Sequence, residues 1–86
     1  MQERSWIVIK KVTVYSRSGC HLCEIAIDKI KLVNSEIDFE LEIKLIDDDK
    51  TLQEKYSDEV PVILIDDQVH DYWRIDVERF IRAIKS

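Results

Sequence analysis

The order in which β-type and helical patterns succeed one another constrains this chain more than any other feature. Lys11-Val12-Thr13-Val14-Tyr15-Ser16 is β-branched and aromatic and reads as a strand, with residues 6–9 extending it or leading into it. Ser18-Gly19 ends that strand. Over residues 20–34, Ala26, Ile30 and Val33 recur at helical spacing. Ile27 widens their stripe, and Asp28, Lys29 and Lys31 fall off it. Residues 39–46 alternate: Phe39, Leu41, Ile43 and Leu45 form a dry row, and Glu40, Glu42 and Lys44 a wet one. Asp47-Asp48-Asp49 reads as a solvated turn capping a short helix over residues 51–56. Val62-Ile63-Leu64-Ile65 is a continuous apolar run, as in a strand buried on both faces. Asp66-Asp67 is a hairpin connection, and residues 69–73 return as its partner strand. Asp76 caps a last helix whose Val77, Phe80, Ile81 and Ile84 share one face.

The order is therefore β-α-β-α-β-β-α: a parallel βαβ unit, then a hairpin closed by a helix. Packed together, these elements make an α/β fold of thioredoxin-like type, with a four-stranded mixed sheet and helices on both faces. A ferredoxin-like fold would need a hairpin between its two helices, which this order lacks. The 86 residues suffice for one such domain, spanning 1–86.

Composition narrows the function. The formal net charge of −5 argues against nucleic acid, because phosphate binding needs a basic face. No apolar run approaches the ~20 residues that cross a bilayer, so a soluble, cytoplasmic monomer with no membrane partner is expected. The two cysteines sit three apart. A disulfide closing so tight a loop constrains little of the unfolded chain, so this spacing points to reactive thiol chemistry in a reducing compartment.

Cys20-His21-Leu22-Cys23 falls where the first strand ends and the long helix begins. The unpaired N–H groups of a first helical turn stabilise a thiolate there. Cysteines so placed drop from ~8.5 to ~3.5–7.5 in pKa. Cys20 is thus the expected nucleophile. Cys23, one turn on and deeper, is placed to resolve a mixed disulfide formed at Cys20. A protonated His21 would favour the thiolate further, and Arg17 would add positive potential. Gly19, the only glycine, lets the chain turn sharply and a substrate backbone approach. Pro61, the only proline, follows Val60 at the entrance to the buried strand. A cis bond there would expose the Val60 backbone to a peptide or thiol ligand, opposite Cys20. His70 reads as a surface residue, and Tyr15 as packing near the end of its strand. One chain offers too few ligands for a closed zinc site, so no resident metal is expected. Two chains could share a zinc ion or an iron–sulfur cluster through paired Cys20 and Cys23.

The stretch Val-Tyr-Ser-Arg-Ser-Gly-Cys-His-Leu-Cys, the Val60-Pro61 pair and the Val-Ile-Leu-Ile-Asp strand resemble glutaredoxins and glutaredoxin-like proteins from about Lys11 to the C-terminus. The resemblance implies a thiol–disulfide oxidoreductase with a nucleophilic Cys20, a resolving Cys23 and a cis Pro61. It implies no bound cofactor, and glutathione or a disulfide-containing protein as partner. It places Arg17 at the glutathione carboxylate and the Val60 backbone at the glutathione cysteine. The chain departs from the family in two places. His21 and Leu22 replace the usual Pro-Tyr between the cysteines. Asp71-Tyr72-Trp73-Arg74 stands where glutaredoxins carry a Gly-Gly that packs the γ-glutamyl end. Tyr72 is thereby a candidate for substrate contact in place of that glycine pair. A domain that keeps the fold but only binds a partner is the alternative.

Overall fold

The computed structural model describes residues 9–56 and 59–85. The expected strand extension before Ile9, and the placement of Trp6 at the sheet edge, fall outside them. The elements are β1 (Lys11–Ser16), α1 (His21–Asn34), β2 (Glu40–Leu45), α2 (Lys50–Tyr56), β3 (Val62–Ile65), β4 (Gln68–Tyr72) and α3 (Val77–Lys85). They form one four-stranded sheet in the order β2-β1-β3-β4. β1 and β2 are parallel, whereas β3 runs antiparallel to β1 and β4 antiparallel to β3. This is the mixed-sheet α/β fold that the element order implies.

The alternation of side chains across the sheet divides the core in two. On one face, Val12, Val14 and Ile63 pack with Ala26, Ile30 and Val33 of α1, Phe80 and Ile84 of α3, and Phe39. Phe39 meets Phe80 edge-on at 5.6 Å. On the other face, Val62 and Leu64 pack on Tyr56 and Leu52 of α2, and Tyr15 stacks on Tyr56 at 5.0 Å. Each fully buried aliphatic or aromatic side chain contributes about 1.5–3 kcal/mol.

Local signals fix the ends of the elements. Asp66 and Asp67 both take positive φ, 51° and 69°, as a two-residue hairpin turn matched to strand twist requires. Asp66 also accepts the Lys11 N–H through its carboxylate, 2.9 Å. Asp49 caps α2 by accepting the Leu52 N–H at 3.0 Å. Asp76 caps α3 in the same way through Arg79, 3.1 Å.

Three expectations need correction. The dry row of the second strand is dry only at its start. Phe39 is buried, whereas Ile43 is 40% and Leu45 54% exposed. β2 is the sheet edge, and α1 and α3 centre their packing on β1 and β3. The last strand ends at Tyr72, because Trp73 turns to a φ of 67° and leaves the ladder. His70, expected at the surface, is half-buried. Its ring lies 6.0 Å from that of Phe80, and its Nε2 is buried without a hydrogen-bond partner.

Candidate functional site

The topology gathers four loops at one end of the sheet. β1 ends at Ser16, which pairs with Leu45 at the end of parallel β2. Tyr15 pairs with Val62 at the start of antiparallel β3, and Val62 pairs with Tyr72 at the end of β4. The segment 17–20, the acidic turn at 47–49, the Val60-Pro61 pair and Trp73 are therefore neighbours, although they span most of the sequence.

Cys20 is the N-cap of α1, with extended backbone (φ −88°, ψ 108°). Its Sγ accepts the Cys23 N–H at 3.1 Å, and its carbonyl accepts the Glu24 N–H at 3.2 Å. The sulfur thus occupies the place of the serine or aspartate oxygen in an ordinary cap. Cys20 is half-buried, and Cys23 beneath it is only 1% exposed, packed with Ile46 and Val60. The two are joined as a disulfide. One sulfur therefore reaches solvent and its partner is sealed behind it.

Gly19 carries the chain into the cap with a φ of +75°. A Cβ built there would meet nothing within 4 Å, so this position needs glycine for its backbone and not for room. The Val60-Pro61 bond is cis, and Pro61 is fully buried. The Pro61 carbonyl accepts the Trp73 N–H at 2.8 Å, which ties the end of β4 to this loop.

An open cleft is lined by Arg17, Ser18, Gly19, Cys20 and Val60. Of the candidate residues, the structure brings Arg17, Gly19, Cys20 and Val60 together there, with Cys23 and Pro61 buried below. His21 and Tyr72 are not in the lining. The His21 side chain is 83% exposed and points to Glu24, 3.9 Å away. Tyr72 is exposed and leans on Trp73, ring centres 6.2 Å apart. Among the described residues, no group of three or more His, Cys, Asp or Glu side chains converges to hold a metal ion.

Sequence reasoning missed Asp47, which it left as part of a solvated turn. Its two carboxylate oxygens accept the Ser18 N–H at 3.3 and 3.2 Å, bracing the loop before Cys20. Hydrogen bonding from Ser18 holds the Asp47 carboxyl below its usual range, with the Arg17 charge adding to the effect. The only advance signal was topological: parallel strands that start together also end together.

The geometry matches known proteins along nearly the whole chain. Protein Ne2328 from Nitrosomonas europaea, solved by solution NMR, is 31% identical, with a TM-score of 0.80 over 91% of this chain and 94% of that one. Protein XcR50 from X. campestris, an X-ray structure, is 28% identical, with a TM-score of 0.69 over 86% of this chain and 95% of that one. The uncharacterized protein Rv0508 of Mycobacterium tuberculosis is 26% identical over 74 residues, covering 80% of this chain and 76% of its own length. The family model described as Glutaredoxin-like domain (DUF836) matches residues 11–85. With its thioredoxin-like sheet and a match to this model over residues 11–85, the chain belongs to the glutaredoxin-like domain family.

Proposed function

We propose that the protein is a thiol–disulfide oxidoreductase in which Cys20 is the nucleophile and Cys23 the resolving thiol. One observation carries this reading: Cys20 caps α1 with its sulfur on the Cys23 N–H at the edge of an open cleft, while Cys23 is sealed beneath. A thiolate at such a cap gains from the N–H groups of the first turn and from the helix dipole.

In the reduced enzyme the Cys20 thiolate attacks one sulfur of a substrate disulfide. The substrate S–S bond breaks, a Cys20–substrate bond forms, and the first substrate thiolate leaves and takes a proton. Cys23 then gives up its proton and attacks the Cys20 sulfur. The mixed disulfide breaks, the Cys20–Cys23 bond forms, and the second substrate thiol departs. Two electrons pass to the substrate, and an external thiol reductant, with glutathione as one candidate, restores the dithiol. Val60 lines the cleft beside Cys20, where an extended peptide carrying the disulfide would lie. Asp47 offsets part of the Arg17 charge, which favours a polypeptide disulfide over the anionic glutathione tripeptide.

The test is reduction of insulin and of a glutathionylated peptide by the wild type, Cys20→Ser and Cys23→Ser. Cys20→Ser should abolish both activities, and Cys23→Ser should accumulate a mixed disulfide visible by mass spectrometry. Equal rates for wild type and Cys20→Ser would sink the proposal.

A further inference from the structure

The edge strand β2 carries a pattern that the redox reading does not use. Among the described residues no strand pairs with its outer side. The Glu40 N–H donates to the Lys10 carbonyl and the Ile46 N–H to the Ser16 carbonyl, both at 2.9 Å. Backbone groups alternate along a strand, so those of Leu41, Ile43 and Leu45 point away from β1 to the open edge. The side chains of the same three residues lie on the face that α1 covers, because Ile43 pairs with Val14 of that core. Leu22, Ile25 and Leu32 of α1 are also exposed, Leu32 by 70%. They recur at helical spacing on a flank beside the buried stripe.

We infer that β2 is a docking edge for a second copy of this chain, paired antiparallel about a two-fold axis at Ile43. Two-fold pairing of identical strands allows few registers, and side-chain chemistry separates them. With Ile43 opposite its own copy, Leu41 of each chain faces Leu45 of the other. Leu41, Ile43 and Leu45 then exchange their outward N–H and C=O groups across the seam. On the other face, Glu42 of each chain meets Lys44 of the other, an opposite-charge pair made twice. Moving the axis to Glu42 instead sets like charges directly opposite, which is unfavourable. Glu42 lies 3.3 Å from Lys11 of β1 and 3.9 Å from Lys44 of its own chain, so its carboxylate leans inward toward β1 and, on pairing, turns outward to meet Lys44 of the second copy. The axis is normal to the sheet, so both α1 helices lie on one side of it. The ends of β1 point in opposite directions, which leaves both Cys20 clefts open.

The experiment is sedimentation equilibrium of the full chain in a non-thiol reductant, so that no intermolecular disulfide contributes. The wild type should dimerise between roughly 1 and 100 μM. Glu42→Lys and Lys44→Glu should each weaken association by about tenfold or more, since each turns both cross-strand pairs repulsive. The double variant, and an equimolar mixture of the two single variants, should regain it. Circular dichroism confirms that each variant is folded. A wild type that stays monomeric overturns the inference and assigns the edge to another part of this chain or to a different protein. A dimer indifferent to both charge changes, or a double variant no better than the singles, overturns the strand pairing.

Discussion

Replacing Gly19 isolates one backbone angle in the loop that delivers Cys20 to the helix. The φ of +75° is left-handed, and adopting it costs an L-residue about 1–2 kcal/mol. A side chain also restricts the unfolded chain, which offsets about 0.4–1 kcal/mol of that cost. Nothing lies within 4 Å of the position a Cβ would take, so no steric cost is added. Gly19→Ala should therefore destabilise by about 0.8 kcal/mol, the difference of the central values. With a urea slope of about 1 kcal/mol/M for a chain this small, the midpoint falls by about 0.8 M. Gly19→Asn should lose less, because asparagine tolerates this region, and Gly19→Val more, because a β-branched residue does not. Urea unfolding followed by tryptophan fluorescence, with every variant held in the same redox state, gives the ranking. An alanine variant as stable as the wild type would refute the left-handed turn. An asparagine variant as damaged as the valine one would show that space, not backbone angle, sets the requirement.

Three further outcomes are expected. Burial lowers the His70 pKa from its usual 6.5, and the Arg79 charge adds to this. The unfolded chain then takes up a proton that the folded chain resists. The stability this confers is present above the unfolded pKa and lost as pH falls through about 6.5 toward the folded value. His70→Phe should remove that slope in urea titrations from pH 8 to 5, and an unchanged slope would assign it elsewhere. Asp47→Asn keeps an oxygen for the Ser18 N–H but removes a negative charge near the dithiol, so the Cys20 thiol pKa read by alkylation rate against pH should fall. Asp47→Ala should also loosen the loop, seen as faster exchange of the Ser18 amide, and equal exchange in both variants would deny the brace. Phe80→Ala empties the centre of the main core and should cost about 3–5 kcal/mol, whereas Leu32→Ser should change monomer stability by under about 0.5 kcal/mol. Thermal unfolding distinguishes them.

Where local chemistry decides structure, the sequence was legible. The β-branched run at 11–16, the stripe of Ala26, Ile30 and Val33, and the unbroken Val62-Ile63-Leu64-Ile65 each became the expected element. The pairing of Cys20 with a helix start followed from Ser18-Gly19 before a periodic stretch. What the sequence hid depends on neighbours distant along the chain. The alternation of 39–45 is the same for a central and an edge strand, so the exposure of Ile43 and Leu45 became visible only once β2 took the outermost place. His70 lies in a hairpin of ordinary surface composition, and its partial burial comes from Phe80 of α3 packing against its ring. Asp47 is one of three identical aspartates, and no local signal marks which of them reaches back to Ser18.

The sealing of Cys23 behind Cys20 makes the pair univalent toward the outside. A bulky electrophile that reaches the reduced protein is captured once, at the outer sulfur, so a single mass tag reports the whole population. Under the proposed thiol chemistry, peroxide attack would be channelled the same way. A sulfenic acid formed on Cys20 has a thiol one helical turn away with which it condenses, expelling water and closing the ring before higher, irreversible oxides accumulate. With Cys20 as the proposed nucleophile, shielding its partner would act as a built-in fuse that an external thiol resets.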